Sequence, residues 1–156
     1  MSIKDFVHKE LIFVGLNPSS QRELLQFLYD QAKRSGHVTD DFLERLLQRE
    51  EKFPTGLELP GYNVSIPHTD AECVKKEFIA IATLNTPIPF YLMEDKGKQA
   101  DVSLVFMLGL KNPHDQLEVL KELIGLIQDK DKVAQLVSAS SKDDVFQTLH
   151  TASIRK

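Results

Sequence analysis

The spacing of apolar residues along this chain changes character twice. Leu11-Ile12-Phe13-Val14 is a short continuous apolar run closed by Gly15, which predicts a strand. The spacing then turns helical. After Pro18-Ser19-Ser20, residues Leu24, Leu25, Phe27 and Leu28 fall on one face, Ser20 and Glu23 have capping-box spacing, and Gly36 stands where a helix end wants glycine. Thr39-Asp40 caps a second predicted helix with Phe42, Leu43, Leu46 and Leu47 inward, broken by Pro54 and Gly56. Between residues 61 and 108 the apolar runs are short again, at 61–66, 78–82, 89–93 and 102–108, with Gly97 marking a turn between the last two. Continuous rather than alternating apolarity predicts strands covered on both faces. Helical spacing returns in the final third. Leu117, Leu120, Ile124 and Ile127 follow an opening Asn112-Pro113, Val133, Leu136 and Val137 follow a break at Asp129-Lys130-Asp131, and Val145, Phe146 and Leu149 form the inward face of a last helix over 142–150. One strand, two helices, several strands and then helices predict an α/β sandwich, a mixed β-sheet flanked by helices, rather than a doubly wound parallel sheet.

Composition narrows this further. At 156 residues, 42% hydrophobic and 27% charged, and with no repeat or linker, residues 1–156 are expected to fold as a single domain. The net charge of −4 argues against nucleic acid or an anionic membrane surface as a partner, since both select clustered Lys and Arg. The lone Cys73 excludes an internal disulfide and any CxxC metal site. No apolar run reaches the roughly 18 residues of a membrane helix. Met1-Ser2-Ile3-Lys4-Asp5 lacks the layout of a signal peptide, so cytoplasmic residence is expected.

The candidate chemistry lies in Ser65-Ile66-Pro67-His68-Thr69. Proline fixes its own φ and keeps the residue before it extended, so His68 sits on a stiff stalk at the end of a β-rich run. A neutral imidazole there is a nucleophile suited to neutral pH. His8, His37 and His150 stand in polar or terminal contexts, and Cys73 reads as a small packing residue.

The segment Arg49-Glu50-Glu51-Lys52-Phe53-Pro54-Thr55-Gly56, followed by Val64-Ser65-Ile66-Pro67-His68, resembles the active-site segment of the mannitol/fructose-type enzyme IIA domains of the bacterial phosphoenolpyruvate-dependent sugar phosphotransferase system. The likeness continues through Thr86-Pro87-Ile88-Pro89-Phe90 and Asn112-Pro113-His114-Asp115-Gln116-Leu117, from about residue 11 to 149. Phe53-Pro54-Thr55-Gly56 and Asn112-Pro113 look most like galactitol-type members. The chain departs from the family at Ser65, where alanine is usual, at Thr69, where Gly, Ala or Cys is usual, and at Pro60, which leaves the subfamily and the sugar open.

The resemblance implies that His68 accepts a phosphoryl group from the carrier HPr and passes it to enzyme IIB, with the membrane reached only indirectly through enzyme IIC. It implies no cofactor and no metal, because the donor N–P bond already has high transfer potential. Arg49, which by residue type alone reads as a solvated arginine at a helix end, becomes the group that balances the phosphoryl charge through its bidentate fork. His114, at a predicted helix start, is a second phosphoryl-binding candidate beside its reading as a surface histidine. Thr55 is either a hydroxyl donor to a phosphoryl oxygen or a turn-capping group, and Glu51 either ties Arg49 in place or is an exposed helix carboxylate. Two rival readings stand beside transport. One is a nitrogen-type regulatory enzyme IIA, whose phosphorylation state controls binding to targets. The other is a metal-dependent hydrolase built on His68, His114 and Asp70.

Overall fold

The computed structural model describes residues 3–154. Strands β1 (Val7–Leu16), β2 (Gly56–Leu57), β3 (Asn63–Ser65), β4 (Phe78–Tyr91) and β5 (Gln99–Gly109) join in one sheet in the order β1-β4-β5-β3-β2. The pairs β1–β4 and β3–β5 are parallel, while β4–β5 and β2–β3 are antiparallel. The sheet is therefore mixed, as the order of elements predicts.

Both faces are covered. Side chains alternate across a strand, so Ile79 and Ile81 of β4 and Leu104, Phe106 and Leu108 of β5 enter one core. Helices α3 (Pro113–Ile127), α4 (Lys130–Val137) and α5 (Lys142–Ile154) complete that core with Val119, Leu123, Val133, Leu136 and Val145. Phe78, Ala80, Ala82, Val105 and Met107 face the other way, against Leu24, Leu25 and Leu28 of α1 (Gln21–Arg34) and Phe42 and Leu46 of α2 (Phe42–Lys52).

The helix ends follow local chemistry. The Ser20 hydroxyl accepts from the Glu23 N–H at 3.1 Å, while the Glu23 carboxylate accepts from the Ser19 N–H at 3.2 Å, one residue earlier than a capping box would place it. Past α1, Gly36 takes φ +78°. Its N–H donates to Lys33 O at 3.0 Å and the His37 N–H to Ala32 O at 2.9 Å, closing the helix in a Schellman turn. In α3, Pro113 occupies the first turn and Asn112 Oδ1 caps the His114 N–H at 2.8 Å.

The differences from the sequence reading have physical causes. The runs at 78–82 and 89–93 belong mostly to one 14-residue strand, β4, irregular between Thr83 and Ile88. Pro87 and Pro89 are tolerated because the pairing with β1 ends at Leu84, and a strand paired on one side loses little by lacking an N–H. The run at 61–66 contributes only the three residues of β3, and the Pro54–Gly56 break contains the short β2. The inward face of α3 is Val119, Leu123 and Ile127, whereas Leu117 and Ile124 are 52% and 39% exposed. That helix is apolar on two stripes, and docking on the sheet selects between them.

Topology gathers three segments at one end of the sheet. β3 runs parallel to β5 and continues its pairing as far as His68, with the Leu108 N–H donating to Pro67 O at 2.9 Å. The turn after β5 leads directly into α3 at that end. The end of α2 arrives there too, because it feeds β2, whose Gly56 pairs with Ser65 at the end of β3. Crevices beyond strand carboxyl ends are where open α/β sheets place their sites.

Candidate functional site

His68 is half-buried, and its ring is set by its own stalk. The Nδ1–H donates to the carbonyl of Ile66 at 2.9 Å, which leaves the lone pair on Nε2. Burial lowers the His68 pKa from the ordinary 6.5, the positive charge of Arg49 lowers it further, and the bond to the Ile66 carbonyl acts in the opposite direction. The ring is therefore neutral at pH 7 with one nitrogen free to attack.

Arg49 lies in the last turn of α2, exposed, with its guanidinium carbon 5.0 Å from the centre of the Phe53 ring. Among the described residues it makes no ion pair. It borders a hollow of about 440 Å³ that Gln48, Lys52, Phe53 and Thr69 also line, between α2 and the segment that follows His68. One turn earlier, Arg45 is differently placed. It pairs with Asp41 and Asp70 at 3.0 Å each and with Glu72, tying α2 to the turn just beyond His68. Sequence reasoning missed this clamp, although its i,i+4 spacing from Arg49 put both arginines on one helix face.

The remaining candidates divide. Thr55 is buried at 3% exposure, and its hydroxyl donates to Glu50 Oε1 at 2.8 Å, so in this arrangement the hydroxyl hydrogen serves the turn. His114 stands exposed in the first turn of α3 at the His68 end of the sheet. Glu51 is exposed and unpaired with Arg49. Of the apolar residues nearest the histidine in sequence, Phe53 and Tyr62 are exposed, while Leu57 and Leu59 pack against the core. Cys73 is buried, which pushes its thiol pKa up, and His37 packs between His8 and Phe78. Among the described residues no group of three or more His, Cys, Asp or Glu is placed to hold a metal ion. Asp70 is held by Arg45. Also among the described residues, no helix is long and apolar enough to cross a membrane.

Comparison with known proteins gives the family. The model for the phosphoenolpyruvate-dependent sugar phosphotransferase system, EIIA 2, matches residues 5–152.

The chain belongs to this family.

As an EIIA domain it is a phosphotransferase component of that system. It is 32% identical over 124 residues to the galactitol-specific EIIA component of Escherichia coli K12, covering 80% of this chain and 82% of the relative. The crystal structure of the nitrogen regulatory protein IIA-Ntr from Neisseria meningitidis superposes with a TM-score of 0.80 at 27% identity, over 94% of this chain and 98% of that one. Enzyme IIAMTL of Escherichia coli, solved in complex with phosphorylated enzyme IIBMTL, shares the fold with a TM-score of 0.75 at 23% identity, over 93% and 97% of the two chains.

Proposed function

We propose that His68 is the phosphoryl acceptor of this EIIA domain. The observation that carries the reading is the Nδ1–H bond to Ile66 O, which leaves Nε2 as the single free nucleophilic nitrogen of a neutral ring. The Nε2 lone pair forms the new N–P bond as the N–P bond of the donor phosphohistidine breaks. The bonding pair returns to the donor ring, which takes a proton from solvent. His68 becomes a phospho-imidazolium whose Nδ1–H stays bonded to Ile66 O until it releases a proton to solvent. Transfer of this kind rests on positioning and charge stabilisation. Arg49 is the cation that meets the phosphoryl oxygens, and His114 is a second donor from the start of α3.

The donor in this reading is the phosphohistidine of HPr and the acceptor is enzyme IIB, acting in the cytoplasm with enzyme IIC as the only link to a membrane. The solved complex of enzyme IIAMTL with phosphorylated enzyme IIBMTL supports an enzyme IIB partner. The galactitol-specific relative supports a polyol transport role. A regulatory role is the second reading, favoured by the likeness to IIA-Ntr along nearly the whole chain.

Intact mass after incubation with phosphoenolpyruvate, enzyme I and HPr tests the acceptor. One phosphoryl group is expected on the wild type and none on His68→Ala. Phosphorylation of His68→Ala would overturn the assignment. Onward transfer to a galactitol-type enzyme IIB separates transport from regulation: transfer supports the first, and its failure with an active enzyme IIB supports the second.

A further inference from the structure

We propose that Glu50 is a positioning residue for His68, acting through Thr55 and Ile66 to hold the histidine ring in its Nδ1–H tautomer. The inference rests on the reading of His68 as the phosphoryl acceptor. Glu50 closes α2 from the inside, with only 6% exposure, and among the described residues it forms no ion pair with a cation. A buried carboxylate without a cation is costly unless its oxygens are hydrogen-bonded. Here one residue satisfies both: the Thr55 N–H donates to Oε2 at 2.9 Å and the Thr55 hydroxyl to Oε1 at 2.8 Å. Thr55 is thereby fixed at its amide and its side chain. Its carbonyl accepts from the Ile66 N–H at 3.2 Å, and the Ile66 carbonyl accepts from His68 Nδ1–H at 2.9 Å.

Four groups in series thus lead from a buried carboxylate to the nucleophile. The last bond matters most during transfer. As Nε2 gains its bond to phosphorus the ring acquires positive charge, the Nδ1–H becomes more acidic, and its bond to Ile66 O strengthens. An interaction that grows toward the transition state raises the rate, provided the carbonyl is already in place. Fixing Ile66 is what the Glu50–Thr55 pair does. A glutamate that only closed a turn would affect folding stability without touching the ring.

The test uses the full chain. The rate of transfer from phospho-HPr is measured in single turnover, and the nitrogen-15 shifts of the His68 ring report the tautomer before phosphorylation. Glu50→Ala is expected to slow transfer roughly tenfold to a hundredfold and to populate the Nε2–H tautomer. Glu50→Gln restores both, because its carbonyl oxygen accepts the Thr55 N–H and its amide donates to the Thr55 hydroxyl oxygen. Should Glu50→Ala fail to fold, Thr55→Val, which keeps the N–H and loses the hydroxyl, is expected to move both readouts the same way by less. A wild-type rate and tautomer in Glu50→Ala, or in Thr55→Val when it stands in, with or without a lower melting temperature, overturns the proposal. So does a Glu50→Gln variant as impaired as Glu50→Ala. Failure of the acceptor reading is separately visible: the wild type would take no phosphoryl group, while the tautomer would still respond to Glu50.

Discussion

In the proposed acceptor role, His68 relies on two features of a single side chain, a depressed pKa and a fixed tautomer. The pKa gives a pH profile. Because burial and Arg49 hold the ring below the ordinary 6.5, the rate of phosphoryl uptake is expected to be flat around neutral pH and to fall in acid with an inflection below 6.5. An inflection above that value in stopped-flow transfer rates would contradict the charge arrangement. Arg49 and Arg45, one helical turn apart, are expected to differ sharply. Arg49→Gln removes a cation that makes no ion pair among the described residues and whose charge reaches the His68 ring, and should slow transfer by roughly a hundredfold. Arg45→Gln removes a charge already answered by Asp41, Asp70 and Glu72 and should slow it far less. Equal losses in the two variants would reverse the assignment. Ser65 carries the one buried side-chain polar atom without a partner among the described residues. Ser65→Ala removes an unsatisfied hydroxyl and is expected to raise unfolding free energy by about 1 kcal/mol, read by urea denaturation.

At the scale of elements, backbone approaches set what the strands accept. A Cβ on Gly109, the last residue of β5, would lie 2.1 Å from Cε1 of Phe78, a fully buried ring across the β4–β5 pair. Gly109→Ala must therefore displace a core aromatic at the end of the strand that leads to α3. A loss of about 1–3 kcal/mol is expected, and a urea midpoint equal to wild type would show that the ring has room to yield. The cap of α3 is a milder case. Asn112→Ala leaves the His114 N–H without its acceptor and should cost about 1 kcal/mol. Apolar spacing located the sheet runs and the opening of α3 but was half right about its inward face: Ile127 is buried and Leu120 packs against the core, whereas Leu117 and Ile124 are exposed and Val119 and Leu123 are buried in their place. Periodicity within a helix says that a face is apolar, and only the sheet beneath says which face is covered.

For the whole molecule, two histidines couple stability to pH. His68 and His37 both have pKa values lowered by burial. Below the ordinary 6.5 the unfolded chain takes up protons at these positions that the folded chain refuses, so stability is lost as pH falls through 6.5 toward the folded-state values. Glu50 works the other way: burial raises its pKa, so its folded form is favoured as pH falls through that raised value. The histidine contribution is isolated by comparing wild type with a His37→Gln, His68→Gln variant at each pH. The difference in unfolding free energy between the two is expected to shrink or reverse on acidification between about pH 7 and about pH 5.5. A constant difference would show that neither histidine is refused a proton on folding.

Much of this protein is written locally. Ser65-Ile66-Pro67-His68-Thr69 singles out His68, the proposed acceptor, because proline geometry depends on neighbours in the chain, and the alternation of strand and helix spacing marks a mixed sandwich because each period reports one kind of element. The caps at Ser20, Gly36 and Asn112 are equally local. What no window of residues contains is the return of distant segments to one place. The parallel pairing of β3 with β5 and the antiparallel pairing of β2 with β3 bring the end of α2, the stalk of His68 and the start of α3 to the same end of the sheet. That convergence brings the charge of Arg49 to bear on His68, turns Arg45 into a clamp on Asp70 and Glu72, and joins the local Glu50–Thr55 pair to Ile66. Strand order and burial are properties of the assembled sheet, so these partnerships were decided only by the tertiary structure.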